Sequence, residues 1–151
     1  DKTFNPNGNI LREEFVKIAV LAFDKYQKSA KAEFNDLSPD DWCYSYVASA
    51  KEAGLIYGDE NNRFQKGSYI TRQDLAVILY RIAIKEGYVF TEKNENFKDY
   101  DQNSDYAKEA VAALAGAKFI SGMEDGSFAP TANATRAQTA LLVYVMMGGL
   151  K

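Results

Sequence analysis

The sequence predicts an all-α, mainly helical protein, and three observations carry that prediction. A stretch that sets an Arg eight positions after a Phe occurs three times. Each copy opens an apolar run with helical spacing. The only strand-like pieces are the short apolar segments near Leu55-Ile56 and Phe119-Ile120, so no extended sheet is expected.

The first copy reads Phe4-Asn5-Pro6-Asn7-Gly8-Asn9-Ile10-Leu11-Arg12. The second reads Phe64-Gln65-Lys66-Gly67-Ser68-Tyr69-Ile70-Thr71-Arg72, and the third Phe128-Ala129-Pro130-Thr131-Ala132-Asn133-Ala134-Thr135-Arg136. Arg12 and Arg72 lie 60 positions apart, Arg72 and Arg136 lie 64 apart, and a fixed period of this size signals a repeat architecture. Upstream of the second copy stand Phe34-Asn35-Asp36, Trp42 and Gly54-Leu55-Ile56-Tyr57-Gly58. Upstream of the third stand Phe97-Lys98-Asp99, Tyr106 and Lys118-Phe119-Ile120-Ser121-Gly122. The expected organisation is one domain over residues 1–151. It holds the second half of a repeat (1–30), a complete repeat (31–93) and another complete repeat (94–151).

Five principal helices are expected in order. Residues 12–28 carry Phe15, Ile18, Ala19, Ala22 and Tyr26 at three- and four-residue steps. Residues 29–40 form a polar connector. Asp40-Asp41-Trp42 places acids in a first turn and predicts a helix start there, ending at Gly54. The next helix runs from Arg72 to Glu86, with Leu75, Ile78, Leu79 and Ile82 inward and Gly87 stopping it. The last two run over 105–117 and 136–147, with Gly148-Gly149 closing the chain's final helix. The three helices that follow the repeated Arg are the more apolar, which suggests that they pack together with the other two outside.

Composition removes several function classes. Net charge is −3 and the sequence pI is about 5.1, which argues against nucleic-acid binding. The longest apolar run, near 137–150, is interrupted by Gln138, Thr139 and two glycines, so no membrane insertion is expected. The absence of histidine removes Ser-His-Asp and Cys-His catalysis and the commonest metal ligand, and the single Cys43 excludes an internal disulfide. Acidic clusters at Asp59-Glu60 and Asp101 to Asp105 lack the ligand spacing of a calcium loop and read as solvated turns. No catalytic residue, metal or cofactor is expected.

Thr71-x-x-Asp74 and Thr135-x-x-Gln138 have capping-box spacing, which accounts for the Thr and its partner but not for the Arg between them. A cation in a helix's first turn opposes the macrodipole by about 0.3–1 kcal/mol. Three at one repeat position suggest a use. The guanidinium could lock onto a carboxylate such as Asp36 or Asp99. Alternatively it could join the helix N-terminal N–H groups to bind an outside anion, exposed at the helix start.

The order Phe-x-Asp, Trp, Gly-bounded apolar segment, Asp125-Gly126-Ser127-Phe128-Ala129-Pro130, and Ile70-Thr71-Arg72-Gln73-Asp74 resembles the S-layer homology family over nearly the whole chain. The resemblance implies a pseudo-threefold, three-pronged spindle with a central three-helix bundle and ligand grooves between repeats. It implies a secreted, cell-surface module that holds secondary cell-wall polysaccharide, often pyruvylated, without catalysis. The family's motif arginine maps to Arg12, Arg72 and Arg136, its Phe-x-Asp acid to Asp36 and Asp99, its Trp to Trp42, and its loop glycine to Gly58 and Gly122. Its Asp-Gly-Thr segment maps to Asp125 and Ser127, and in degraded form to Asp1-Lys2-Thr3. Leu11 stands where the family has Thr, Asn61-Asn62-Arg63 where it has Asp-Gly-Thr, Tyr106 where it has Trp, and Gln138 where it has Glu. The alternative is a protein-interaction or spacer module with degenerate grooves. A glycan-active enzyme using Asp36 and Asp99 is the weakest reading, since the repeat already explains both acids. By alignment the first repeat is expected to extend roughly 25–35 residues upstream of Asp1. A longer natural chain, a cleaved segment or a partner chain is expected to cover the face it leaves.

Overall fold

A computed structural model describes residues 4–151. The Asp1-Lys2-Thr3 match lies outside the described residues. Among those residues the fold is all-helical: α1 (Arg12–Ala22), α2 (Tyr44–Glu52), α3 (Arg72–Lys85), α4 (Asp105–Gly116) and α5 (Arg136–Gly149), with a 3-10 turn at Tyr100–Gln102. No strand is present among them, only isolated bridges: Leu11 with Tyr69, Thr71 with Asn133, and Asn9 with Thr135. The strand-like segments at Leu55-Ile56 and Phe119-Ile120 are irregular backbone, buried by their apolar side chains.

The chain divides into two compact units, one of residues 10–69 and one of residues 1–9 with 70–151. In the first unit α1 packs on α2. Phe15, Val16, Val20, Val47, Ala48, Leu55 and Phe64 form its core, each at most 1% exposed. Helix α1 ends at Ala22, six residues before the periodicity suggested. Asp24 takes a left-handed φ of 54° and the Lys25 N–H bonds back to the Val20 carbonyl at 2.8 Å, which closes the helix as a glycine would. The chain then crosses α2. Gln27 donates its N–H to the Ser49 hydroxyl at 2.9 Å, and the Tyr26 ring, expected on the helix stripe, packs 5.0 Å from Tyr46. Helix α2 begins at Tyr44 rather than at Asp40. Asp41 instead accepts the Ser38 N–H at 2.7 Å and pairs with Lys66 at 2.7 Å, so its charge organises the turn ahead of the helix.

In the second unit α4 packs on α3. Ala107 and Ala110 seat against Val77, with Tyr80 at the edge. The Gln73 amide ties the start of α4 to α3, accepting the Ser104 N–H at 2.9 Å and donating to its hydroxyl at 3.2 Å. Thr71 accepts the Asp74 N–H at 3.3 Å, and Thr135 with Gln138 completes a reciprocal capping box; such a cap contributes about 1 kcal/mol. Gly148 and Gly149 do not stop α5, which runs through both. A Cβ at Gly149 would lie 2.3 Å from the Phe119 ring, so close packing, not helix termination, requires glycine there.

Candidate functional site

Two of the repeated arginines, Arg12 and Arg72, each act on the Phe turn of the following copy. In the second unit, Arg72 donates its Nε–H to the Phe128 carbonyl at 2.7 Å and lays its guanidinium 4.8 Å over the Phe128 ring. The other side of the same turn is held by Asp99, whose carboxylate accepts the N–H groups of Phe128 at 2.8 Å and Ala129 at 2.9 Å. Ala129 has a φ of 58°, a left-handed conformation that disfavours a side chain by about 1–2 kcal/mol and that the Asp99 bond offsets. Phe97, two residues before Asp99, packs its ring 5.4 Å from Phe128.

The first unit repeats this geometry. Arg12 donates Nε–H to the Phe64 carbonyl at 3.0 Å and lies 5.3 Å over that ring. Asp36 accepts the N–H groups of Phe64 at 2.8 Å, Gln65 at 2.7 Å and Lys66 at 3.0 Å, and Phe34 packs 6.0 Å from Phe64. Desolvation raises the Asp36 pKa, but the three backbone donors outweigh it and hold the carboxyl below its ordinary value. Glu13, buried beside Arg12, accepts the Gly67 N–H at 3.0 Å. Asp36 and Asp99 are therefore each committed to the loop of their own repeat.

Two expectations change here. The arginines are not exposed: Arg72 is 8% accessible, and Arg12 and Arg136 are half-buried. Burial lowers the Arg72 pKa and the nearby Asp99 charge raises it; an arginine remains charged under either influence. The helix-start N–H groups are also not free for an anion. Arg72 N–H bonds the Ala132 carbonyl, Gln73 N–H the Pro130 carbonyl, and Asp74 N–H the Thr71 hydroxyl. The start of α5 matches it: Arg136 N–H bonds Gly8, Ala137 N–H bonds Pro6, and Gln138 N–H bonds Thr135. Any anion at these helix starts must be read by side chains. Arg72 uses only Nε on Phe128, and its two Nη groups carry four further donors.

Arg72 also lines a cavity of about 290 Å³ in the second unit, together with Gly122, Ser121, Gln138, Lys118 and Leu141. The cavity brings together the motif arginine of one repeat and the loop glycine of the next. A Cβ at Gly122 would stand 2.7 Å from the Ser127 carbonyl and 2.8 Å from Phe97, so only glycine lets this loop fold against the turn. Asp125 shapes that loop rather than facing the cavity. It accepts the Ser127 hydroxyl at 2.6 Å and N–H at 2.9 Å and pairs with Lys98 at 3.0 Å, and these contacts hold its carboxyl well below the usual range. Asp59 plays the same part in the first unit. Arg63 N–H first, then the Gln65 amide and Asn61 N–H, outweigh desolvation and bring it down to about 2. The sequence alone reads Asp59 as part of a solvated turn, with Asn61-Asn62-Arg63 standing where the Asp-Gly-Thr segment is expected. Gly58 packs against Asn62 in the same loop.

Trp42 does not line the cavity. It stands 58% exposed before α2, with the Lys17 ammonium 5.8 Å over its ring and Tyr46 6.4 Å away. Tyr106, at the equivalent place, donates its hydroxyl to Asp74 at 2.6 Å. Sequence reading missed Lys118, which occupies the position held by Gly54 in the preceding repeat and keeps a left-handed φ of 62°. Among the described residues, no group of three Asp, Glu or Cys side chains could hold a metal ion, and no helix is long and apolar enough to cross a membrane.

The S-layer homology domain profile matches residues 1–16, 33–76 and 96–140. The chain is 31% identical over 150 residues to an amylopullulanase of Thermoanaerobacterium thermosulfurigenes, covering 97% of the chain and 8% of that protein. It is 31% identical over 150 residues to exoglucanase XynX of Acetivibrio thermocellus, covering 97% and 14% respectively. It is 26% identical over 146 residues to the cellulosome-anchoring protein of the same species, covering 93% and 32%. The chain thus spans a third or less of the length of each of these relatives.

Proposed function

The chain belongs to the S-layer homology domain family, and from that premise we propose that it anchors the protein carrying it to a carboxylate-bearing, pyruvylated cell-wall polysaccharide through the cavity at Arg72. Domains of this family are non-catalytic, generally bind secondary cell-wall polymer, and occur in extracellular, cell-surface proteins. A relative named for anchoring, matched over 93% of this chain, supports the same role here.

The observation that supports the reading is the cavity that Arg72 lines together with the Gly122 loop and Gln138, beside the apolar wall of Leu75, Ile120 and Leu142. A planar guanidinium with free Nη donors suits a carboxylate, and an apolar wall suits the carbon skeleton that carries it. Arg12 sits in the same relation to the Phe64 turn, with Asp36, Gly58 and the exposed Trp42 in its unit; Arg136 opens α5. We assign these to further subsites, with Asp99, Asp125 and Ser127 shaping the loops around Arg72.

The test is retention on purified cell walls before and after chemical removal of pyruvyl ketals. Retention on intact walls that is lost on ketal removal supports the reading; equal retention on both contradicts it. A second reading, in which the arginines only clamp the Phe turns, is favoured by the burial of Arg72 and its bond to Phe128. It predicts no retention on either wall.

A further inference from the structure

Helices α2 and α4 are closed by the same backbone pattern on different residues. After α2, Gly54 N–H bonds the Lys51 carbonyl at 3.0 Å, Leu55 N–H bonds the Ala50 carbonyl at 2.9 Å, and Gly54 takes a φ of 73°. After α4, Lys118 N–H bonds the Ala115 carbonyl at 3.1 Å, Phe119 N–H bonds the Leu114 carbonyl at 2.9 Å, and Lys118 takes a φ of 62°. This closure favours glycine, because a Cβ in the left-handed region crowds the following carbonyl. Lys118 therefore holds under strain a position that glycine fills without it. The dipole of α4 does not require a cation at that position. Ala117, one residue earlier and right-handed, offers the same helix end without strain. Lys118 does not tie the fold together either. It is exposed, and among the described residues its ammonium has no hydrogen-bond or ion-pair partner.

Lys118 does line the cavity that Arg72 lines. These two are the only charged residues among those lining it, and both are cations. They differ in what balances them. Arg72 is 8% accessible, commits Nε to the Phe128 carbonyl and is opposed by the nearby Asp99 charge. Lys118 is exposed and unopposed. We infer that Lys118 is a specificity-determining residue of this cavity, the charge that makes it select an acidic sugar over a neutral one of the same shape. The inference rests on the reading of the cavity as a carboxylate site. In that site Arg72 orients the carboxylate through its planar fork, and Lys118 supplies the net positive potential that Arg72, opposed by Asp99, does not. Backbone strain is then retained at the ligand site, where the ammonium is needed.

The experiment compares two probes by calorimetric titration at low and at high salt: a pyruvylated disaccharide, and the same disaccharide with its ketal carboxylate methyl-esterified. The wild type should prefer the acid, and salt should weaken that preference. Lys118→Gly removes the charge and the strain together, and Lys118→Asn removes the charge from a residue that tolerates the left-handed backbone. Each should cut the preference for the acid about three- to fivefold, the range for an exposed charge pair. Each should also flatten the salt dependence and leave affinity for the ester unchanged. Lys118→Arg should restore the preference. Lys118→Gly should raise the urea midpoint while it weakens acid binding, which separates the loss from unfolding. Undiminished preference for the acid in Lys118→Gly and Lys118→Asn, with acid binding still lost in Arg72→Ala, overturns this inference alone. A wild type that binds acid and ester alike, or neither, overturns the carboxylate reading and this inference with it.

Discussion

At the scale of single residues, Arg72 has two duties that a sequence cannot separate. Its Nε holds the Phe128 turn, and its Nη groups belong to the proposed ligand site. Arg72→Ala should therefore lose about 1.5–3 kcal/mol of polymer affinity and also lower folding stability, by about 1–3 kcal/mol, in urea unfolding. Arg72→Lys should recover only part of the affinity, because an ammonium lacks the planar fork. Thr139 offers an opposite case. It fills the core position held by Phe15 and Leu75 in the other copies, is 1% exposed, and its hydroxyl finds no hydrogen-bond partner. Thr139→Val keeps the shape and removes the stranded hydroxyl, so it should raise stability by about 1 kcal/mol. Lys118→Gly should add about 0.5–1 kcal/mol by relieving the left-handed backbone. Denaturant midpoints check both changes; a lowered midpoint in either would contradict the reading.

At the scale of elements, the repeat made much of the fold legible. The starts of α1, α3 and α5 fall on Arg12, Arg72 and Arg136 because Leu11, Thr71 and Thr135 are extended N-cap residues and the apolar period begins just after. Ends were less legible. Asp24 closes α1 in a glycine-like conformation that its residue type does not announce, and the two glycines at the end of α5 continue the helix because Phe119 needs the space. The loops were legible as motifs but not as chemistry. Asp36 and Asp99 were read as partners for arginine or ligand, and their carboxylates turn out to collect backbone N–H groups, a bond pattern that depends on distant residues brought close only by folding. The leucine at position 11 removes the hydroxyl cap, yet half of the box persists, since Glu14 still accepts the Leu11 N–H at 3.0 Å. Leu11→Thr should therefore strengthen α1 by about 0.5–1 kcal/mol, read as a higher urea midpoint.

At the scale of the whole molecule, acid stability and ligand binding report on the clamps together. Asp36, Asp59 and Asp125 all hold folded-state pKa values below the ordinary 3.8, Asp59 at about 2. A depressed carboxylate contributes stability above the unfolded-state value and loses it as pH falls through the folded-state value. Stability should therefore drop between about pH 4 and pH 2 and change little from these groups above pH 5. Asp36→Asn should flatten part of that drop in pH-dependent unfolding; an unchanged profile would show that the carboxylate does not hold the Phe64 turn. The central claim, that Arg72 reads a carboxylate in the cavity beside Gly122, is tested most directly by NMR titration with a pyruvylated disaccharide while the Arg72 side-chain and backbone amide signals are followed. Saturable shifts should appear at the Arg72 guanidinium, Ser121, Gly122 and Gln138, and vanish with the same sugar lacking its ketal. Shifts confined to the Trp42 indole and its neighbours, with the Arg72 signals unmoved, would contradict it.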